Sequence, residues 1–313
     1  MKYYHRSFLS MKKTIIVLLF LLCNFIIVLT VSGTTSEPSA LLSGSDENNQ
    51  KTPEFVYYYP HMQTIREEAD RIILCDTLLS MISGGNCPFD GFNEEQEECV
   101  PLPEGWSLYP CNGTAVLEAF PHLHISPGKK ISGYYYLTFM MGVPVLSVFD
   151  TNETLTLPDE YKTDMYNKIP PSGDGEIFKY ISGDNSPESY PEASVLRKMI
   201  PNHTSVLKRH TWSAHIILND DMVATARNDT VSSQAVPSSD ELKSPKWNWK
   251  GDYPERFDPV VIIRNDSVTV QFYTYSGLNN RIITRYTDTY PNGSYIPESE
   301  EITIASGEGG YFY

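Results

Sequence analysis

Positive charge is scarce in this chain of 313 residues: 24 Lys and Arg stand against 39 Asp and Glu, a net −15. The scarcity deepens away from the N-terminus. Residues 1–33 hold four bases (Lys2, Arg6, Lys12, Lys13) and no acid, so the remainder carries 20 bases against 39 acids, a net −19. Coulomb repulsion then opposes any encounter of the body with nucleic acid or an anionic membrane surface. A second long apolar run is missing, which excludes a multi-span protein. No repeat of solenoid or propeller period occurs. G-x-S-x-G, a Cys–His nucleophile context and a glycine-rich phosphate loop are all absent, so no catalytic residue and no cofactor is assigned. Carboxylates, at 39, are too many for one pair to stand out as the acid and base of a glycosidase. Apolar residues are not lacking: 41% of the chain is hydrophobic and 12% aromatic. Such a composition buries a sizeable core, excludes wholesale disorder, and fits one large or two small domains.

The single apolar run is Thr14–Val31, with Asn24 and two threonines as its polar interruptions. It is slightly long for the apolar stretch of a cleaved signal and slightly short for a spanning helix. Val31-Ser32-Gly33 supplies small residues for cleavage, and the preceding bases would stay cytoplasmic in an uncleaved type II anchor. Residues 1–33 therefore read as a signal peptide or a signal anchor, and both place residues 34–313 on the extracellular side. N-glycosylation sequons fall at Asn112, Asn152, Asn202, Asn228, Asn265 and Asn292. The expectation is a secreted or cell-surface glycoprotein, attached to a membrane only through the N-terminal segment if that is retained.

Residues 34–56 are rich in Ser, Glu, Asp and Asn and read as a flexible stalk. Over 57–128 the spacing of Ile65, Ala69, Ile72, Ile73 and Leu79 predicts an amphipathic helix between His61 and Met81, ended by Gly84-Gly85. Cys75, Cys87, Cys99 and Cys111 follow at intervals of twelve. Zinc sites favour close C-x₂₋₄-C pairs, which are missing here. Two disulfides are expected in an exported chain, with three pairings open. The helix bearing Cys75, then Cys87-Pro-Phe-Asp-Gly, then Cys99-x-Pro-x-Pro-x-Gly-x₄-Pro-Cys111 resembles the start of the hormone-receptor ectodomain of secretin-type receptors. That resemblance is confined to residues 61–111. It implies a disulfide-stapled fold binding a peptide hormone, with Cys75 paired to Cys99 and Cys87 to Cys111.

From residue 129 to 313 the pattern is strand and turn. Tyr134–Phe149 splits at Gly142-Val143-Pro144 into two strands. Hairpins are predicted at His215–Ala226 over Asp220-Asp221, at Val260–Phe272 over Asn265-Asp266, and at Arg281–Ile304 around Asn292-Gly293. Long polar loops are expected over 157–191 and 231–245, with a short helix at Glu192–Ile200 stopped by Pro201. Sequential hairpins predict a mainly β fold, an antiparallel sandwich or jelly roll.

Three groups of side chains invite chemistry. His122 and His124 alternate on one face of a predicted strand, and with His210 or His215 would make a three-histidine zinc site of a secreted hydrolase. No metal is assigned, because nothing fixes a general base beside them. Trp247, Trp249 and Tyr253 form an aromatic row: exposed, it would stack on sugar rings or anchor a partner; buried, it is core. Gly173-Asp174-Gly175 and Gly183-Asp184 read as turns, since the ligand ladder of a calcium loop is absent. The reading these observations favour is a non-enzymatic binding protein for an extracellular, basic protein or peptide. A metal-dependent hydrolase using His122 and His124 and a carbohydrate-binding module using Trp247 and Trp249 are the alternatives.

Overall fold

Between Ser267 and Thr274 of the strand Ser267–Ser276 half-buried and buried side chains alternate, the period-2 signature of a strand with two unlike faces. This strand is the centre of the chain's main sheet. The computed structural model describes residues 54–75, 105–137, 142–161, 171–200, 212, 215–225, 236–277 and 280–309, all within the unit Ala40–Tyr313. Residues 1–53, which hold the expected signal segment and most of the expected stalk, and Cys87, Cys99, Asn202, Asn228 and His210 lie outside the described residues.

In chain order the elements are β1 (Phe55–Tyr58), α1 (Met62–Ile73), β2 (Gly105–Leu108), a 3₁₀ turn at Gly113–Ala119, β3 (Leu123–Ile125), β4 (Lys129–Leu137) and β5 (Gly142–Asp150). There follow β6 (Ile181–Gly183), α2 (Ser189–Met199), β7 (His215–Ile217), α3 (Asp220–Thr225), α4 (Ser239–Leu242), β8 (Trp247–Trp249), β9 (Val260–Ile263), β10 (Ser267–Ser276), β11 (Arg281–Pro291) and β12 (Glu298–Gly307). The protein is mainly β, and its sheets are antiparallel. Seven strands form the large sheet in the order β1-β9-β10-β11-β12-β8, with β7 pairing β10 beyond the end of β9. β2-β4-β5 make a second sheet and β3-β6 a third. Gly133 in β4 is required by close approach, because a Cβ there would overlap the carbonyl of Val145 on β5.

Side chains of β10 and β11 on one face (Val268, Val270, Phe272, Tyr286, Tyr290) join a core shared with α1, α2 and the inner residues of β4 and β5. α2 packs on β10 and on α1, and α1 packs on the 113–119 turn, which in turn lies on β4. The other face of the large sheet is covered at one end by Leu218, Met222, Val223, Leu242 and Phe257, packed with Tyr275 and Ile283. α1 is tied in by polar groups as well. Gln63 Oε1 accepts from Ile217 N–H at 2.8 Å, and the Arg66 guanidinium donates to the carbonyl of His215 while lying over the Trp212 ring.

The hairpin expected over Asn265-Asp266 forms, closed by Arg264 N–H donating to Ser267 O. β11 and β12 pair as expected, but β12 begins at Glu298, because residues 292–297 turn Tyr295 into the core. The hairpin expected over Asp220-Asp221 does not form. Asn219 Oδ1 accepts from Met222 N–H at 2.8 Å and caps α3, with both aspartates in its first turn where the helix dipole favours acids. β7 pairs β10 instead. Two expected loops contain regular structure. Residues 157–191 include β6 and the start of α2, and residues 231–245 include α4, capped by Ser238 Oγ accepting from Glu241 N–H.

Candidate functional site

The chemistry-bearing side chains that the fold brings together lie where β3 meets β6 and α2. Pairing of Leu123 with Gly183 leaves His122 and Asp184 opposite each other at the end of the ladder. Asp184 N–H donates to His122 O at 3.1 Å, and His122 Nδ1 lies 2.8 Å from Asp184 Oδ2. The other carboxylate oxygen of Asp184 accepts from Ser186 N–H at 2.9 Å, a local Asx turn that fixes it toward the histidine. His122 N–H donates to Glu192 Oε2 at 3.0 Å from the first turn of α2. Glu192 is 1% exposed, and its Oε1 has no hydrogen-bond partner among the described residues. Tyr295 buttresses the cluster: its hydroxyl accepts from Asn185 N–H, pairs with Ser189 Oγ, and its ring stacks on Tyr190. A side chain at Gly183 would overlap the Tyr295 ring.

These groups set each other's protonation. Burial pushes the Glu192 carboxyl up to about 7, against the opposing pull of the His122 N–H and ring. Partial burial draws His122 down, yet its hydrogen bond to Asp184 and the neighbouring carboxylates of Glu192 and Glu188 outweigh that and raise it overall. Hydrogen bonds from Ser186 and His122 hold Asp184 at about 2. Asp184 holds the Nδ1 edge of the His122 ring, and among the described residues no nucleophile is bonded to that ring.

His124 is exposed on β3 and lines an open groove of about 420 Å³ with Asn112, Thr114, Leu117 and Ile125. His215 is turned into the protein: its ring stacks on Trp212, its Nδ1 lies 2.9 Å from Thr274 Oγ1, and burial pushes it down to about 4. Among the described residues, no three His, Cys, Asp or Glu side chains gather as a metal-binding group. The zinc set of His122, His124 and His215 is therefore not assembled: the first pairs with Asp184 and the last is committed to the core.

Of the aromatic row, Trp247 is 6% exposed and belongs to the second core, where the Arg281 guanidinium covers its ring. Trp249 is half-buried, with its indole N–H donating to Leu242 O, and Tyr253 is half-buried between Trp249 and Phe257. The three rings pack rather than form a free stacking face.

Cys75 bonds Cys111, joining the end of α1 to the start of the 113–119 turn. This corrects the Cys75–Cys99 pairing implied by the receptor resemblance. The reason is spatial: the Tyr109 hydroxyl donates to Ile73 O at 2.6 Å, which brings the 109–111 segment onto the helix end. Asn112, Asn152, Asn265 and Asn292 are all exposed, and the last two sit at hairpin tips. Among the described residues no helix is long and apolar enough to cross a membrane. Asp174 and Asp184 each accept from a backbone N–H two residues on, the turn role expected of them.

The pairing of Glu192 and Asp184 with His122 escapes sequence reasoning, since about 60 to 70 residues separate the partners. The local signal was an Asp-x-Ser turn followed by a helix with an acid in its first turn, a common pattern without chemistry of its own. Comparison with known protein families, curated proteins and solved structures gives no match.

Proposed function

We propose that the chain is a secreted or cell-surface glycoprotein that binds an extracellular, basic protein or peptide. The observation that supports this reading best is the exposure of every sequon asparagine in the described residues, each in a turn, cap or hairpin tip open enough to carry a glycan. The disulfide Cys75–Cys111 fits an oxidising compartment. The net charge of −19 beyond the leader favours a basic partner through long-range steering, which weakens with salt. Architecturally, we read the large sheet and the β2-β4-β5 sheet as the two layers of a sandwich-like body, because residues from both enter one core; α1 and α2 contribute to the same core.

The test is retention of basic proteins, such as histone or lysozyme, by the full chain purified from a eukaryotic secretory host. Retention at low salt and release at raised salt is expected. Equal retention of acidic and basic proteins overturns the reading. N-terminal sequencing of the same material distinguishes a cleaved signal from an anchor.

A further inference from the structure

We infer that the outer edge of β12 between Glu298 and Thr303 is a docking site for an extended, basic peptide segment, which adds there as an antiparallel strand. The inference rests on the proposed preference for a basic partner and gives it a location. β12 is paired along its inner side by β11 from Thr289↔Glu298 to Arg281↔Gly307. On its outer side β8 covers only Ala305, Ser306 and Gly307, and Lys250 N–H caps the carbonyl of Ile304. Ile304 is the extra residue of a β-bulge, since Ile283 pairs Ala305 while Thr284 pairs Thr303. The bulge and β8 end the coverage together. From Thr303 back to Glu298, among the described residues, no strand lies beyond β12. Alternate backbone N–H and C=O groups there point outward, a template for one more strand.

Proteins commonly blunt such an edge, and the side chains here show what this one admits. Glu298, Ser299, Glu300 and Glu301 are all exposed. By alternation Glu298 and Glu300 share one face, while Glu301 and Ser299 share the other. Ser299 Oγ donates to Asp288, Glu301 hydrogen-bonds the Tyr286 hydroxyl, and Glu300 lies 3.7 Å from Arg285, the neighbouring cation on β11. Glu298 and Glu300 thus share a face on which Arg285 is the neighbouring cation, while Glu301 lies on the other face beside Tyr286, whose ring Lys198 covers. A second copy pairing edge to edge would set glutamates against glutamates, so the charge rejects self-association. A segment with Lys or Arg at every second position would place its bases opposite Glu298 and Glu300 while its backbone completes the ladder.

The probe is a fluorescein-labelled octapeptide alternating Lys and Thr, titrated with the full chain and followed by anisotropy at low and raised salt. Two controls separate strand addition from loose charge attraction. One is the same peptide N-methylated at alternate amides, which keeps its charge and removes one edge of hydrogen bonds. The other is the double variant Glu298→Lys, Glu300→Lys, both at exposed positions. Salt-sensitive binding that falls about tenfold or more with either change is expected. Equal binding of the methylated peptide, or unchanged binding by the variant, overturns the edge assignment and leaves the basic-partner reading intact. Failure of the wild-type chain to bind the octapeptide while still retaining histone or lysozyme in a salt-sensitive way does the same. If neither peptide nor basic protein is retained, the partner reading itself falls.

Discussion

The backbone N–H of Asn292 donates to the carbonyl of Asp266 at 3.0 Å, so the tips of two hairpins are bonded side by side. Each tip carries an exposed sequon asparagine, Asn265 on one and Asn292 on the other. Two glycans would therefore project from one end of the large sheet. In a secretory host, Asn265→Gln and Asn292→Gln are each expected to remove one glycosidase-sensitive step of electrophoretic mobility. Absence of any shift on glycosidase treatment of the wild-type chain would refute the glycoprotein reading.

Peptide mapping without reduction is expected to recover Cys75 linked to Cys111. Cys111→Ser should destabilise the protein by about 2–4 kcal/mol, because a bridge over a separation of 36 residues restricts the unfolded chain. A Cys75–Cys99 peptide in that map would restore the pairing implied by the receptor resemblance.

Buried Glu192 and half-buried His215 tilt stability in opposite directions with pH. Glu192, raised from 4.5 to about 7, keeps in the folded chain a proton that the unfolded chain has released, so stability falls as pH rises through that window. His215, lowered from 6.5 to about 4, has released a proton that the unfolded chain still holds, so stability rises over its window. The two windows overlap between about pH 4.5 and 6.5, where the opposing slopes offset each other. Urea midpoints of the wild type should change little across that overlap. Glu192→Gln should unmask a rise with pH, and His215→Gln a fall. Parallel profiles for the two variants would show that these groups do not set the balance.

The Ser194 and Tyr290 hydroxyls lie 2.7 Å apart, and Tyr290 is fully buried between α2 and β11. Tyr290→Phe leaves the Ser194 hydroxyl without that partner and should cost about 1 kcal/mol. Phe272→Ala, which empties a fully buried site stacked on Tyr286, should cost about 3–5 kcal/mol. Denaturant unfolding that ranks Tyr290→Phe as the costlier change would contradict this core.

Strand and hairpin identity was legible where alternation and turn residues agreed, as at Val260–Phe272. The same short-range logic failed at Asp220-Asp221. An Asn-Asp-Asp run suits a helix N-terminus as well as a turn, and the choice lay with distant partners. Asp220 Oδ1 accepts from Phe257 N–H, and Asp258 Oδ1 accepts from Asp220 N–H. Trp247 and Trp249 showed their spacing in the sequence but not their surroundings. Their burial depends on β12 and α4 closing over them.

By itself the sequence determined the acidity of residues 34–313, the apolar run Thr14–Val31, the six sequons and the mainly β, antiparallel character, because composition and period-2 patterning are local properties. Only the tertiary structure decided which cysteine meets Cys75, that His122 faces Asp184 and Glu192, and that Arg66 is buried against Trp212. Each of those contacts closes a loop of 36 residues or more, and what selects it is the shape of the shared core rather than any signal near the residues themselves.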